Sequence, residues 1–196
     1  MKRVAILISG TGSNMEVLVR AMTGDFPARP VLVISDRRAA AGLARARALN
    51  VPTFALERGD FPDRSAFEAG IRRALTAAGA DIVCLAGFMR VLSAEFVADW
   101  QGRMLNIHPS LLPRHPGLAT HARALAAGDA RHGCTVHEVT AELDAGPIRG
   151  QARLDVAPDD TADTLSRRVQ ALEHRLYPQV LRQVAEGRAA PVVIEG

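Results

Sequence analysis

Cysteine is scarce in this sequence: Cys84 and Cys134 are the only two among its 196 residues. They are isolated in the sequence, so they form neither a paired zinc-binding motif nor a disulfide framework. We therefore expect no bound metal, and a reducing compartment, the cytoplasm, as the location of the protein.

Long apolar segments are also missing. No stretch of 18 or more consecutive apolar residues exists, so no membrane span is expected. The apolar run Val4–Ile8 near the N-terminus is only five residues long and leads into glycine-rich sequence, which favours a buried strand over a signal peptide. The net charge is +3, and the arginines form no long basic block. Neither a membrane nor a nucleic acid is therefore an expected partner, whereas a small acidic substrate would suit the charge.

Several strands of the first hundred residues are predicted as continuous apolar runs. Such runs at Val4–Ile8, Val31–Ile34 and Ile82–Ala86 are typical of parallel strands that are covered on both faces. Amphipathic helical patterns lie between them, and shorter strands are expected at 52–55 and 103–107. This alternation predicts an α/β fold with a single doubly wound, mainly parallel sheet flanked by helices.

The second half of the chain follows a different pattern. A loop rich in proline is expected at 109–120, followed by a hairpin-like pair of strands at 134–139 and 148–156 that would add antiparallel strands to the sheet. Apolar residues then repeat at helical spacing, and Pro178 is expected to kink or break this C-terminal helix. No linker is apparent, so residues 1–196 are interpreted as one domain.

The first predicted strand leads into Ser9-Gly10-Thr11-Gly12-Ser13-Asn14. Glycines at a strand-to-helix turn let the backbone approach a ligand, and free N–H groups at the helix start bind phosphate. Met15 stands where a dinucleotide-binding loop would need its third glycine. The loop is therefore predicted to hold a phosphate monoester. The alternative is purely structural, because Ser13 and Glu16 have the spacing of a helix capping box.

A second polar stretch occurs where the strand at 103–107 ends. Asn106 and His108 are two positions apart, so they share a strand face, and Pro109 ends the ladder behind them. An amide beside an imidazole is compatible with a catalytic site, and equally with a strand that frays into a polar loop. Asp144 lies in a predicted turn near the same sheet edge, where an aspartate usually accepts local backbone hydrogen bonds.

Four motifs together give the chain a resemblance to a known family. They are Ile-Ser-Gly-x-Gly-Ser-Asn near the start, Leu-Ala-Gly-Phe-Met-Arg at 85–90, Asn-Ile-His-Pro-Ser-Leu-Leu-Pro at 106–113 and Leu-Asp-x-Gly-Pro at 143–147. In this order and spacing they resemble the folate-dependent phosphoribosylglycinamide formyltransferases of purine biosynthesis. The resemblance extends over nearly the whole chain.

The resemblance implies transfer of a formyl group from 10-formyltetrahydrofolate, the co-substrate, to the amine of glycinamide ribonucleotide. Asn106 and a protonated His108 would stabilise the oxyanion that forms, and Asp144 would raise the pKa of His108 and so keep it charged. No metal takes part. The partners would be these two small molecules alone, and the protein would be a monomer or a homodimer.

The resemblance also implies the binding residues and two departures. The phosphate of the ribonucleotide would lie on Gly12, Ser13 and Asn14, with further contacts from Gln170 and Glu173. The folate would contact Arg64, Met89, Arg90, Val91, Leu92 and Asn106. Ala119 and Arg149 depart from the family pattern. Among the other histidines, His121 matches that pattern. His137 has a counterpart in the family but is equally compatible with a packed strand residue, and His115, His132 and His174 are interpreted as surface residues.

Three other functions remain as alternatives. A formyltetrahydrofolate deformylase would use the same three polar residues but usually carries an additional N-terminal domain, and a methionyl-tRNA formyltransferase would need a C-terminal nucleic-acid-binding domain. A phosphosugar-binding module without chemistry would explain the glycine loop but not Asn106, His108 and Asp144 together.

Overall fold

A computed structural model describes residues 1–196, which form two compact units, Met1–Leu105 and Asn106–Gly196. No helix is long and apolar enough to cross a membrane. The strands are β1 (Lys2–Ile8), β2 (Ala28–Ser35), β3 (Thr53–Ala55), β4 (Ile82–Leu85), β5 (Met104–His108), β6 (Arg131–Glu138), β7 (Ile148–Asp155) and β8 (Val192–Glu195). Hydrogen bonds join them in the order β3-β2-β1-β4-β5-β6-β7-β8.

The first unit is built from parallel strands joined by helices. β1 pairs in parallel with β2 on one side and with β4 on the other, and β2 pairs in parallel with β3. Because both faces of β1 are covered, its residues from Val4 to Ile8 are fully buried, as expected of a continuous apolar run. The elements are β1 (Lys2–Ile8), α1 (Ser13–Ala21), β2 (Ala28–Ser35), α2 (Ala41–Ala48), β3 (Thr53–Ala55), a 3₁₀ turn (Arg58–Asp60), α3 (Arg64–Ala77), β4 (Ile82–Leu85) and α4 (Ala94–Ala98).

The strand β5 (Met104–His108) ends in the second unit. There β6 and β7 pair antiparallel, and β7 pairs in parallel with a last short strand, β8. The long helix α6 packs its apolar side, including the buried Leu165, Val169 and Leu176, against β6 and β7. The remaining elements are α5 (Thr120–Ala126), β6 (Arg131–Glu138), β7 (Ile148–Asp155), α6 (Ala162–Ala185) and β8 (Val192–Glu195).

The predicted fold class is confirmed, including the antiparallel addition in the C-terminal half. Pro178 was expected to kink or break α6. It does not break the helix, which continues to Ala185, and a kink there stays a prediction. A 24-residue helix with a buried face can continue past one missing hydrogen bond, since packing on the sheet contributes most of its stability. β8 was not predicted, because only four residues, half of them exposed, carry its pattern.

Candidate active site

The glycine loop after β1 depends on Gly12. This residue is the N-cap of α1 and has a φ of 75°, in the left-handed region that favours glycine. A Cβ on Gly12 would lie 2.8 Å from the Cα of Gly42, so the loop and α2 touch backbone to backbone. The capping-box interpretation is wrong: Ser13 is the first residue of the helix, the N-cap has no side-chain bond, and Glu16 pairs with Arg20 and Arg45 instead. Binding of phosphate by this loop stays a prediction.

The segment after β4 contains the residues predicted to contact folate. Met89 and Val91 are 62% and 66% exposed, whereas Leu92 is buried. Exposed apolar side chains that directly follow a buried strand offer a surface for an apolar ligand. The backbone of this segment is fixed at two points, because Ser9 Oγ accepts a hydrogen bond from the Met89 N–H and Arg64 Nη2 donates to the Val91 carbonyl at 2.8 Å.

Glu68 on α3 ties these anchors together. Its carboxylate is buried and accepts hydrogen bonds from Arg64 Nε at 2.9 Å, from the Ser93 N–H at 2.8 Å and from the Ser93 hydroxyl. Burial alone would raise the pKa of Glu68, but the bonds from Ser93 and Arg64 together hold it below the ordinary value. Arg64 is therefore a structural anchor of the segment, a role that sequence reasoning did not assign to it.

Arg90 does not project freely from the same segment. Its Nε donates to Oδ2 of Asp36 at 2.7 Å, and Asp36 is buried at the end of β2. The other carboxylate oxygen, Oδ1, is buried without a hydrogen-bond partner. The guanidinium is thus oriented by a buried carboxylate, which restricts the positions from which a folate could contact it.

In the second unit, Asn106 at the end of β5 meets a histidine of β6. Asn106 Nδ2 lies 3.2 Å from Nε2 of His137, while His137 Nδ1 donates to the Glu138 carbonyl at 2.9 Å. Since Nδ1 carries the proton, Nε2 accepts the bond from the Asn106 amide. His137 is almost fully buried. This arrangement fixes the Asn106 side chain with its N–H₂ group turned towards the polar cluster.

His108, on the same strand, has a partner at each ring nitrogen. Nε2 lies 3.0 Å from the carbonyl oxygen of His115, and Nδ1 lies 3.4 Å from Oδ2 of Asp144. A carbonyl can only accept, so Nε2 carries a proton in the neutral ring and Nδ1 is its free base. The strand-end pair predicted from the sequence thus lies in an ordered polar cluster and not in a frayed loop.

The expectation that Asp144 keeps His108 charged needs a correction. Burial lowers the pKa of His108; the hydrogen bond to the His115 carbonyl and the charge of Asp144 raise it, but only in part. The pKa therefore lies below its ordinary value of 6.5, and the imidazole is mostly neutral at pH 7. Asp144 acts in the expected direction, but loss of hydration outweighs it because His108 is 6% exposed.

Asp144 itself is held as a carboxylate. Burial would raise its pKa, but the contact with His137, the hydrogen bond from the Gly117 N–H and the nearby imidazoles hold the pKa below its ordinary value. Its Oδ2 accepts from Gly117 at 2.9 Å and its Oδ1 lies 3.6 Å from Nε2 of His137. Asp144 has a φ of 54°, a strained conformation for a residue with a side chain. Such strain is typical of functional sites, where surrounding contacts maintain it.

Two histidines interpreted as surface residues are not on the surface: His132 is buried, and the His115 side chain is only 13% exposed, so that interpretation is wrong. His115 Nε2 donates to Asp129 at 2.7 Å, and His132 Nε2 lies 3.1 Å from Nδ1 of His121. The pKa of His132 is lowered to about 4, mainly by burial and further by His121. Both errors arise because these histidines meet partners elsewhere in the chain, Asp129 and His121, which single-residue patterns do not reveal.

The remaining residues singled out from the sequence are two on α6 and the two that depart from the family pattern, Ala119 and Arg149. Glu173 is buried on the helix, and its charge contributes, after burial, to raising the pKa of Cys134 on β6. Gln170, one turn earlier, is exposed. Ala119 is the left-handed N-cap of α5, and Arg149 pairs with Glu138 at 3.3 Å.

The structure thus brings Asn106, His108 and Asp144 into one cluster and adds His137, which touches two of them. The signal for His137 was present in the sequence as a second pair of polar residues, Thr135 and His137, two positions apart on a strand. The predicted phosphate and folate residues other than Asn106, Gln170 and Glu173 lie in the first unit. Their convergence with the catalytic cluster stays a prediction.

Comparison with known proteins extends over almost the whole chain. Residues 2–181 match the formyl transferase family. A phosphoribosylglycinamide formyltransferase from Escherichia coli (strain K12) is 44% identical over 186 residues, covering 94% of this chain and 88% of that protein. A trifunctional purine biosynthetic protein adenosine-3 from Drosophila melanogaster is 46% identical over 191 residues, but the match spans 96% of this chain and only 14% of that protein.

A solved structure agrees with these sequence relationships. The crystal structure of phosphoribosylglycinamide formyltransferase from Brucella melitensis superposes with a TM-score of 0.91 at 52% identity, covering 97% of this chain and 98% of that one. The chain therefore belongs to the formyl transferase family and, within it, groups with the phosphoribosylglycinamide formyltransferases.

Proposed function

We propose that the protein transfers the formyl group of 10-formyltetrahydrofolate to the amine of glycinamide ribonucleotide, a step of purine biosynthesis. The observation that carries the proposal is His108, held between the Asp144 carboxylate and the His115 carbonyl beside the Asn106–His137 pair. In a chain of this family, that cluster offers an amide donor, a base and a carboxylate within one buried site.

The amide donor acts on the oxyanion. When the amine attacks the formyl carbon, the carbonyl oxygen gains negative charge, and the Asn106 N–H₂ group donates to it. Preorganised donors of this kind contribute roughly 3–4 kcal/mol each. His137 holds the amide in place at 3.2 Å, so the donor does not have to reorient during the reaction.

His108 moves the proton. Because it is neutral at rest, it can take the proton that the attacking amine loses, at Nδ1 and through a water molecule. The resulting imidazolium is stabilised by Asp144 and by the oxyanion, and it then protonates the folate nitrogen as the carbon–nitrogen bond to the formyl group breaks. The proton lost by the amine thus ends on the leaving nitrogen, and His108 returns to its neutral form.

Binding of the two substrates is divided between two groups of residues in this proposal. Gly12, Ser13 and Asn14 hold the phosphate, with Gln170 and Glu173 contacting the ribonucleotide. Arg64 and Met89–Leu92 hold the folate, whose ring would cover the exposed Met89 and Val91 side chains. We take residues 1–196 to act as one formyltransferase domain.

The proposal also includes the partners, the location and the oligomeric state of the protein. Two small molecules are the only partners it requires, without nucleic acid, membrane or metal, and the protein would act in the cytoplasm as a monomer or homodimer. The proposal covers only the activity of the matched segment, because the chain spans only 14–18% of the length of the trifunctional relatives.

The test is to mix the protein with 10-formyltetrahydrofolate, with and without glycinamide ribonucleotide, and to follow both tetrahydrofolate and the formylated amine. We expect equal amounts of the two products, and deformylation without the amine slower by orders of magnitude. A comparable rate without the amine would identify a hydrolase, and binding without turnover would leave a phosphosugar-binding module.

A further inference from the structure

The loop between β5 and α5 is fixed by a carboxylate that has no part in the chemistry described above. Asp129, which follows α5, is buried, and its Oδ2 accepts from His115 Nε2 at 2.7 Å. Its Oδ1 pairs with the exposed Arg114 at 3.1 Å. Two consecutive loop residues are thus held by one buried carboxylate.

The backbone of His115 is the part of this loop that reaches His108. The His115 carbonyl accepts a hydrogen bond from His108 Nε2 at 3.0 Å and another from Ser110 Oγ at 3.2 Å. His115 has a φ of 53°, which a residue with a side chain rarely adopts. Such a conformation persists only where other contacts impose it, and here the bond from the side chain to Asp129 supplies one.

We propose that Asp129 is a positioning residue for His108: by holding the side chain of His115, it fixes the carbonyl that accepts the Nε2 proton and leaves Nδ1 free to take a proton beside Asp144. This inference rests on the proposed function, since it assigns the base to a particular nitrogen of His108. Asp129 touches neither substrate nor the reacting atoms in this scheme.

The physical reason is a competition between two tautomers. A neutral imidazole has one N–H, and both the His115 carbonyl and the Asp144 carboxylate accept hydrogen bonds. Without a fixed carbonyl, Asp144 at 3.4 Å from Nδ1 is the stronger acceptor, because it is charged. The proton would then move to Nδ1, and the ring would lose its base at the nitrogen beside Asp144. A carbonyl held in place by Asp129 opposes this exchange.

Other charged and titratable groups also act on His108 and form no hydrogen bond or ion pair with Asp129. They are Asp144, His137, Arg123, His121 and His132. A change in the tautomer of His108 on substitution of Asp129 would therefore report on the His115 carbonyl.

The experiment uses the full chain labelled with ¹⁵N-histidine. Long-range ¹H–¹⁵N spectra at pH 8 distinguish the two neutral tautomers, and the His108 signal is assigned by its loss in His108→Gln. We expect the Nε2–H form in the wild type and a shift to the Nδ1–H form in Asp129→Ala. In parallel, kcat should fall roughly tenfold, with KM for both substrates unchanged within about twofold, as for a displaced catalytic group.

Two matched variants separate positioning from folding. Asp129→Asn keeps an oxygen acceptor for His115 and should retain the Nε2–H form and most of kcat. Arg114→Ala removes the other partner of the same carboxylate and should leave both readouts unchanged. If His108 keeps the Nε2–H form in a folded Asp129→Ala, the proposal is overturned. The spectra need no turnover, so failure of the proposed activity would be visible separately.

Discussion

Oδ2 of Asp144 lies 3.4 Å from Nδ1 of His108, and both side chains are 7% exposed. This separation is longer than an ordinary charge-assisted hydrogen bond, and it matches a ring that is neutral at Nδ1. Once a proton reaches Nδ1, the two groups become an ion pair with little water around it. In the proposed mechanism, the carboxylate therefore stabilises the charged state formed during the reaction more than the resting state.

Asp144→Asn keeps the shape of the side chain and removes this charge. We expect kcat to fall by at least about a hundredfold at neutral pH, as for other losses of transition-state charge stabilisation. The pKa of His108, already below its ordinary value, should fall further because a raising influence is lost. The acid limb of the pH–rate profile, which reports protonation of the base, should move to lower pH.

The control for Asp144→Asn is Asp155→Asn, the same change at a side chain that is 85% exposed. Its profile should match the wild type. Circular dichroism checks that both variants fold. A folded Asp144→Asn enzyme within threefold of wild-type activity would show that Asp144 is an ordinary turn residue.

The proposed binding of phosphate by the glycine loop can be tested at Gly10, where the structure offers room. A Cβ at Gly10 would meet no atom within 4 Å, so Gly10→Ala should fold with unchanged stability. If the loop backbone holds the phosphate, the added methyl group should raise KM for glycinamide ribonucleotide about tenfold or more and leave KM for the folate unchanged. An equal change in both constants, or none, would argue for a purely structural loop.

Gly12 differs from Gly10, because a side chain at Gly12 should lower stability and so would not report on binding alone. A side chain there requires a positive φ and would contact Gly42 at 2.8 Å. Gly12→Ala should therefore lower the free energy of unfolding by more than about 1 kcal/mol, measured by urea denaturation. If Gly12→Ala were as stable as the wild type, the loop and α2 could move apart without lowering the free energy of unfolding.

Glu68 should affect folate binding indirectly, by holding the segment after β4 that is predicted to contact the folate. Glu68→Gln removes the charge that holds Arg64 and Ser93, so the Val91 carbonyl loses a fixed donor. We expect KM for 10-formyltetrahydrofolate to rise roughly three- to tenfold, with a smaller effect on kcat, because the loss affects binding of the folate before and during the reaction. The exposed Glu95→Gln is the matched control. If kcat fell by a larger factor than KM rose, Glu68 would not have a role in shaping the folate site.

How much of this site the sequence predicts depends on how local each signal is. Asn106 and His108 are found because alternation along a single strand places them on one face. The glycine loop is found because its turn needs glycine. The parallel core is found because a strand buried on both faces, such as Val4–Ile8, must be apolar throughout.

Signals that depend on contacts distant in sequence are missed. His137 meets Asn106 only because β6 returns beside the polar cluster, and Arg64 meets Val91 only because α3 packs next to the segment after β4. The charge state of His108 is missed for the same reason, since its pKa is set by burial. His115 was interpreted as a surface residue because its buried partner, Asp129, is 14 positions away in the sequence.

The histidine pair formed by His121 of α5 and His132 of β6 should make the protein sensitive to acid. His132 is 1% exposed, and its pKa is lowered from 6.5 to about 4, chiefly by burial. The unfolded chain takes up a proton at this residue below about pH 6.5, whereas the folded protein does so only near pH 4. Stability is therefore complete above pH 6.5 and falls as the pH drops towards 4, by up to about 3 kcal/mol from this residue. His108 and His121, whose pKa values are also lowered, act in the same direction.

His132→Asn removes this contribution while leaving a polar group opposite His121. We expect the variant to lose less stability than the wild type between pH 7 and pH 4, measured by urea unfolding at half-unit intervals. At pH 8, where both histidines are neutral, the comparison gives the cost of the substitution itself. If the two curves stay parallel down to pH 4, His132 is protonated in the folded protein, and its burial does not control its charge.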